Sequence, residues 1–188
     1  MGNSSTLELV IQKIEVVKAS HLIVAVDGRC AAGKTTLAMQ IKDFLGGNII
    51  HMDHFFLPPE IRTEARLSEP GGNVDYARFL AEVLSPLVKA LPFSYKPYDC
   101  SKKQFGESIQ IRPHRVNIVE GAYSCHPLFI DSYNLKVFLT VDKEEQLRRI
   151  KHRNGEAALD FAQKWIPLEE QYFEFFNIAE QCEVIIGA

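Results

Sequence analysis

The stretch from His21 to Thr36 constrains this chain more than any other. His21 to Val26, HLIVAV, is a continuous apolar run, the mark of a strand covered on both faces, and Asp27-Gly28 ends it. A helical pattern opens near Lys34. Between them, Gly28-Arg29-Cys30-Ala31-Ala32-Gly33-Lys34-Thr35 fits G-x-x-x-x-G-K-[ST] in full. The residue types suit a polyphosphate. Glycines let the backbone wrap it, successive N–H groups and the helix N-terminus supply partial positive charge, and Lys34 adds a full one. The Thr35 hydroxyl is placed for Mg²⁺, and Thr36 continues the loop into the helix. The flanking strand and helix separate such a loop from a chance glycine turn, so residues 28–36 are predicted to bind a nucleotide.

The rest of the chain repeats the alternation. Ser5 and Glu8 have capping-box spacing, and Leu7, Val10, Ile11, Ile14 and Val17 follow with helical period. Further strands are predicted at Asn48 to Met52, Val116 to Glu120, Lys136 to Val141 and Glu183 to Ile186. Helices are predicted from Lys34 to Gly46-Gly47, from Asp75 toward Leu91, and from Asp142 through Arg153. This order predicts an α/β fold with a parallel five-stranded sheet flanked by helices, in one domain over 1–188. The segment from Asp53 to Asn73 is long for a plain connection and is expected to bind or cover something. Pro92 to Arg112 contains a small hairpin with Gly106 near its turn.

Composition narrows the partners. The net charge of −3 comes from mixed acids and bases with no extended basic run, so nucleic acid and anionic membrane surfaces are not expected. No apolar run approaches the roughly 18 residues of a membrane span. Four scattered cysteines, Cys30, Cys100, Cys125 and Cys182, form no CxxC pair, and the N-terminus lacks a signal-peptide layout. A reducing cytoplasm and a small-molecule partner are therefore expected.

The second predicted strand leads into Asp53, which would emerge at the carboxyl edge of the sheet beside the phosphate loop. Around it the sequence reads HMDHFF, His51 to Phe56. Further on come NVD (Asn73 to Asp75), PYD (Pro97 to Asp99), VEG (Val119 to Gly121) and RIKHR (Arg149 to Arg153). In this order, and over most of the chain, these segments resemble the uridine kinase-like branch of P-loop small-molecule kinases. The resemblance implies a P-loop NTPase fold with a lid helix, and transfer of the γ-phosphate of ATP, with Mg²⁺, to a hydroxyl of a small nucleoside-like acceptor. It implies Asp53 as general base, Glu120 beside Mg²⁺ with Thr35, and Arg149 and Arg153 as lid charges acting with Lys34. Asp75, Tyr98 and Asp99 would face the acceptor. Independently, Arg149 and Arg153 share a helix face at i, i+4, and phosphoryl transfer needs positioning and charge neutralisation more than covalent chemistry.

The departures carry information. Lys103 stands where the uridine kinases place a base-reading histidine, so uridine and cytidine are expected to be poor acceptors. Gly121 to Pro127, GAYSCHP, offers Tyr123, Ser124 and His126 without a role. Bland readings stand beside the sharp ones. Asp75 also suits a helix N-cap. Trp165, Leu168, Tyr172, Phe173 and Phe176 read as an aromatic core face, and Cys30 reads as a spacer. Strand alternation would set His54 opposite His51 and Asp53. Acceptors such as a vitamin precursor or sugar acid stay open. A nucleotide switch without an acceptor fits less well, because Asp43 to Gly46 is misplaced for a switch motif and no guanine-reading NKxD occurs.

Overall fold

The computed structural model describes residues 2–187, with the side chains of residues 2–5 outside the description. The Ser5 half of the expected capping box therefore lies outside the described side chains. Helix α1, Gly2–Val16, buries Val10, Ile11 and Ile14. Strand β1, Leu22–Gly28, is buried at every position, as its unbroken apolar run requires. Helix α2, Lys34–Leu45, follows the glycine loop, and Gly46 ends it with a backbone bond to the Lys42 carbonyl.

Strand β2, Asn48–His51, stops one residue earlier than expected, and Met52–Phe55 coil into a single 3₁₀ turn. A short helix α3, Glu64–Ser68, is capped by Thr63. Helix α4, Tyr76–Phe79, passes through a π-turn, Leu80–Leu84, into α5, Ser85–Val88. The hairpin region is a nested pair. Strand β3, Phe93–Tyr95, pairs with β6, Ile109–Ile111, around β4, Tyr98–Asp99, and β5, Gln104–Phe105. Gly106 is not at the turn, which falls between Asp99 and Gln104; it follows β5 and packs against Pro97.

Strand β7, Val116–Glu120, and β8, Leu135–Thr140, lead to α6, Lys143–Asn154. Then come α7, Ala158–Asp160, a second π-turn at Phe161–Trp165, α8, Ile166–Phe175, and β9, Val184–Gly187. The five-stranded sheet runs β2-β7-β1-β8-β9, and every pairing in it is parallel. One apolar layer packs α1 and α2 against the sheet, and the other packs the aromatic side chains of α4, α8 and the 121–133 segment. Among the described residues, no helix is long and apolar enough to cross a membrane.

Register decides what meets at the sheet's carboxyl edge. Val26 and His51 both stand level with Glu120, on either side of it. The strand order puts β1 and β2 on opposite flanks of β7, so the glycine loop and the Asp53 turn converge over one strand end. That is where ligands bind in open parallel sheets.

Candidate active site

The loop between β1 and α2 is shaped by close approach. Gly28 has φ +130°, and a Cβ there would meet the Leu139 carbonyl oxygen at 2.0 Å, so β8 leaves no room for a side chain. The Lys34 ammonium lies back across the loop and donates to the carbonyls of Gly28 at 2.7 Å and Arg29 at 2.9 Å. A cleft of about 450 Å³ opens in front of it, lined by Cys30, Ala31 and Gly33 to Thr36 of the loop and by Asp53, Glu120, Arg149, Arg153 and Glu169. The structure thus brings the expected base, metal partner and lid arginines to one concavity.

Glu120 is the hinge of the polar arrangement. Buried at the end of β7, it accepts from the Thr35 hydroxyl at 3.1 Å through Oε2 and pairs with His51 Nδ1 at 2.5 Å through Oε1. The His51 imidazole is held above its ordinary pKa, first by that hydrogen bond. Hydroxyl and carboxylate oxygens are hard donors of the kind Mg²⁺ takes, and Mg²⁺ commonly uses one or two protein ligands with phosphates and waters completing the shell. The pair fits that role. Among the described residues, no group of three His, Cys, Asp or Glu side chains forms a cage of its own.

Asp53 comes off β2 inside the 3₁₀ turn. Its carboxylate is open to the cleft mouth while protein surrounds it on the other sides, which pushes its pKa upward, with the nearby Glu120 charge adding to the effect. The glycine after Glu120 makes room for this turn: at Gly121, φ +133°, a Cβ would stand 3.0 Å from Met52 Cβ and 3.2 Å from Asp53 Oδ1. The turn also overturns the strand-alternation reading of the histidines, because His54 sits beside His51 with ring centroids 5.2 Å apart. Burial drives the His54 imidazole down to about 4.

Helix α6 supplies the arginines. Asp142 caps it, and Glu145 holds Arg148 at 2.5 Å on the solvent side and Arg149 at 2.7 Å on the cleft side. Arg149 also donates to the Ala31 carbonyl at 3.2 Å, and Arg153 reaches Cys30 Sγ at 3.4 Å.

The expected acceptor residues separate. Asp75 turns its carboxylate to the start of α4, accepting from the Arg78 N–H at 3.1 Å with Arg78 Nε at 3.7 Å, the N-cap arrangement. Asp99 folds onto its own turn, accepting from Ser101 and Lys102, which holds it down at about 2. Tyr98 is buried, its hydroxyl has no partner among the described residues, and with Asp53 it lines a neighbouring hollow of about 420 Å³.

Three carboxylate arrangements escape the sequence reading. Asp27, fully buried, accepts from the N–H groups of Gly28 and Cys125 and from the Tyr172 hydroxyl at 2.7 to 2.9 Å, and its pKa is raised by burial. Glu170 grips Arg29 through two bonds, at 2.6 and 2.8 Å. Glu169 accepts from the Cys30 N–H at 2.9 Å and is pushed up to about 7 by burial. Helix α8 is therefore tied to the phosphate loop at Arg29 and Cys30 and to the end of β1 at Asp27. Of the expected core face, Tyr172 and Phe173 are buried and Phe176 packs against them, while the half-buried Trp165, just before α8, lines a cavity together with the buried Glu169.

A glycine loop closing on lysine and threonine, a strand-end glutamate beside the threonine, and this sheet order define an α/β P-loop fold. The backbone is similar in full to solved structures of uridine kinase-like and other P-loop kinase proteins. One is a possible uridine kinase from Bacillus stearothermophilus, with TM-score 0.75 and 17% identity over 97% of this chain and 98% of that one. Another, from Silicibacter sp. TM1040, is provisionally described as a fructose transport system kinase, with TM-score 0.67 and 19% identity over 99% of each chain. No protein-family model and no curated protein sequence matches the chain.

Proposed function

We propose that the protein is an ATP- and Mg²⁺-dependent kinase that phosphorylates a hydroxyl of a small metabolite, with nucleoside-like acceptors the first class to examine. The observation that carries this reading is the shared cleft: Asp53 opens onto the same space as Lys34, Thr35, Glu120 and the arginines of α6. A switch protein has use for one strand-end carboxylate beside the metal, which Glu120 supplies, and leaves Asp53 without a task.

In this reading the loop amides and Lys34 hold the β- and γ-phosphates. Thr35 and Glu120 would hold Mg²⁺, which would supply neutralisation of the phosphate charge. Asp53 accepts the proton of the acceptor hydroxyl as its oxygen bonds to the γ-phosphorus. The bond from that phosphorus to the β-γ bridging oxygen breaks, and ADP leaves. Arg149 and Arg153 meet charge spread over the transferring group. A raised Asp53 pKa makes it a stronger base than an ordinary surface carboxylate. A second cleft, of about 510 Å³, adjoins the loop at Arg29, between Asp142 and Pro167, and offers room for the nucleoside half of ATP.

A screen of hydroxyl metabolites for acceptor-dependent ADP release tests the reading, with Lys34→Ala as control. Release that rises with one acceptor and vanishes in a folded Lys34→Ala protein supports it. Release indifferent to every acceptor returns the chain to the switch class. The reading also expects little turnover of uridine or cytidine, because Lys103, exposed on the β4–β5 turn, stands where the resemblance calls for a base-reading histidine.

A further inference from the structure

A cavity of about 250 Å³ adjoins the phosphate cleft and shares Phe56, Phe161 and Glu169 with it. Four rings, Phe56, Tyr123, Phe161 and Trp165, make most of its wall, and Arg62 and Asn73 supply its polar edge. Its size falls below the roughly 300–1,000 Å³ typical of sites for drug-sized ligands, which suits a single ring.

Several independent features hold these groups in place. Asn73 is only 6% exposed, yet its Oδ1 has no hydrogen-bond partner among the described residues. A buried amide oxygen without a donor is costly, and a ligand donor would relieve the cost. Tyr123 adopts φ +71°, a left-handed backbone that bulky residues seldom accept, and that conformation sets its ring against the edge of Phe56. Phe161 and Trp165 are the two ends of one π-turn, a local widening of the helix that recurs at functional sites. Arg62 binds the Leu57 carbonyl, and its guanidinium lies 5.6 Å from the Trp165 ring centre. It has no carboxylate partner among the described residues. Glu169, the acid nearest at hand in this wall, is engaged with the Cys30 N–H.

We infer that this cavity is the acceptor subsite and that it takes a single planar ring carrying a carboxylate and a hydroxyl or hydroxymethyl group. The ring stacks among the four aromatic side chains, Arg62 pairs with the carboxylate, and Asn73 accepts from a second donor on the ring, an amino or phenolic group. The reactive hydroxyl points past Phe56 toward Asp53. This assigns acceptor recognition to Arg62, Asn73, Tyr123 and Trp165, and not to Asp75 or Asp99, whose carboxylates are taken up locally. Calling the ligand an acceptor rests on the kinase reading; the ring-and-carboxylate chemistry of the cavity does not.

Trp165 is the only tryptophan in the chain, so its fluorescence reports this cavity alone. The probes are para-hydroxymethylbenzoate, benzyl alcohol, the saturated cyclohexane analogue of the first, and glycerate. Saturable quenching should be tightest for para-hydroxymethylbenzoate, with benzyl alcohol weaker by about tenfold for want of the charged contact. The saturated acid should bind more weakly than the aromatic one, and glycerate should not saturate. A ring amino group beside the hydroxymethyl should tighten binding of the acid probe to the parent protein and not to Asn73→Leu, and Arg62→Met should erase the preference for the acid over the alcohol, with the thermal melt and ATP binding of both variants retained as the check on folding. No saturable quenching by any ring, equal binding of glycerate, or an acid preference that survives Arg62→Met would overturn the inference. An ATP-linked phosphorylation assay on the same probes separates the two claims. Ring binding without phosphate transfer to any acceptor counts against the kinase reading and leaves the cavity assignment standing. Transfer to non-planar acceptors without ring binding does the reverse.

Discussion

Thr35 Oγ1 donates to Glu120 Oε2 at 3.1 Å, joining the first turn of α2 to the end of β7, the strand that pairs directly with β1. In the proposed reading this hydroxyl and carboxylate would both hold Mg²⁺. Thr35→Val keeps the shape and removes the oxygen. The Mg²⁺ concentration for half-maximal turnover should then rise about tenfold or more, with little change in binding of metal-free ATP. An unchanged Mg²⁺ requirement would assign the pair a structural role.

Glu169 gives a pH-dependent signature. Its folded pKa of about 7 stands above the ordinary carboxylate value of 4.5. Between those values the folded protein keeps a proton that the unfolded chain has lost, so this group's contribution makes stability fall as pH rises through the window. The cost is complete above about pH 7 and absent below about pH 4. Glu169→Gln should therefore melt several degrees higher than the parent near about pH 8, a gain of at most about 3 kcal/mol. The two melts should converge in acid. Asp27 and Asp53 shift the same way in both proteins, so the difference isolates Glu169. A Gln variant destabilised at alkaline pH would mean the Cys30 contact needs the charge.

Arg149 and Arg153 should separate binding from chemistry. Alanine at either position should lower kcat by about 10²-fold while changing ATP affinity much less, because each cation matters most where charge develops. Arg149 also anchors the Ala31 carbonyl, so its loss should cost somewhat more ATP affinity than the loss of Arg153. Equal small effects at both would return them to the solvated face that Arg148 occupies.

The parts legible in the sequence were those fixed locally. The glycine loop is a contiguous motif, and β1 is buried on both faces, which only an unbroken apolar run permits. The five strands follow from similar runs. What the sequence could not show depends on contacts between distant elements. Glu169 and Asp27 are ordinary acids until folding buries one against Cys30 and the other beneath Tyr172, residues 139 and 145 positions away along the chain. The 3₁₀ turn that carries Asp53 breaks a strand pattern that looked continuous to Met52, and the His51–His54 relationship changed with it. Asp75 is a local case: its fitness as a helix cap is readable from the sequence, and the bond from the Arg78 N–H is that cap. Trp165 looked like core because helical spacing cannot reveal a π-turn that rotates one end of a helix toward a cavity.

The most direct test concerns Asp53. Its carboxylate faces the cleft at the end of β2, and Asp53→Asn keeps its size while removing the base. In a single-turnover measurement with saturating ATP–Mg²⁺ and an acceptor, transfer of the γ-phosphate should slow by about 10²- to 10⁴-fold, with ATP affinity nearly unchanged. Chemistry that proceeds at the parent rate, with the loss appearing instead in ATP–Mg²⁺ affinity, would make Asp53 a metal ligand and contradict the account of how the acceptor hydroxyl is activated.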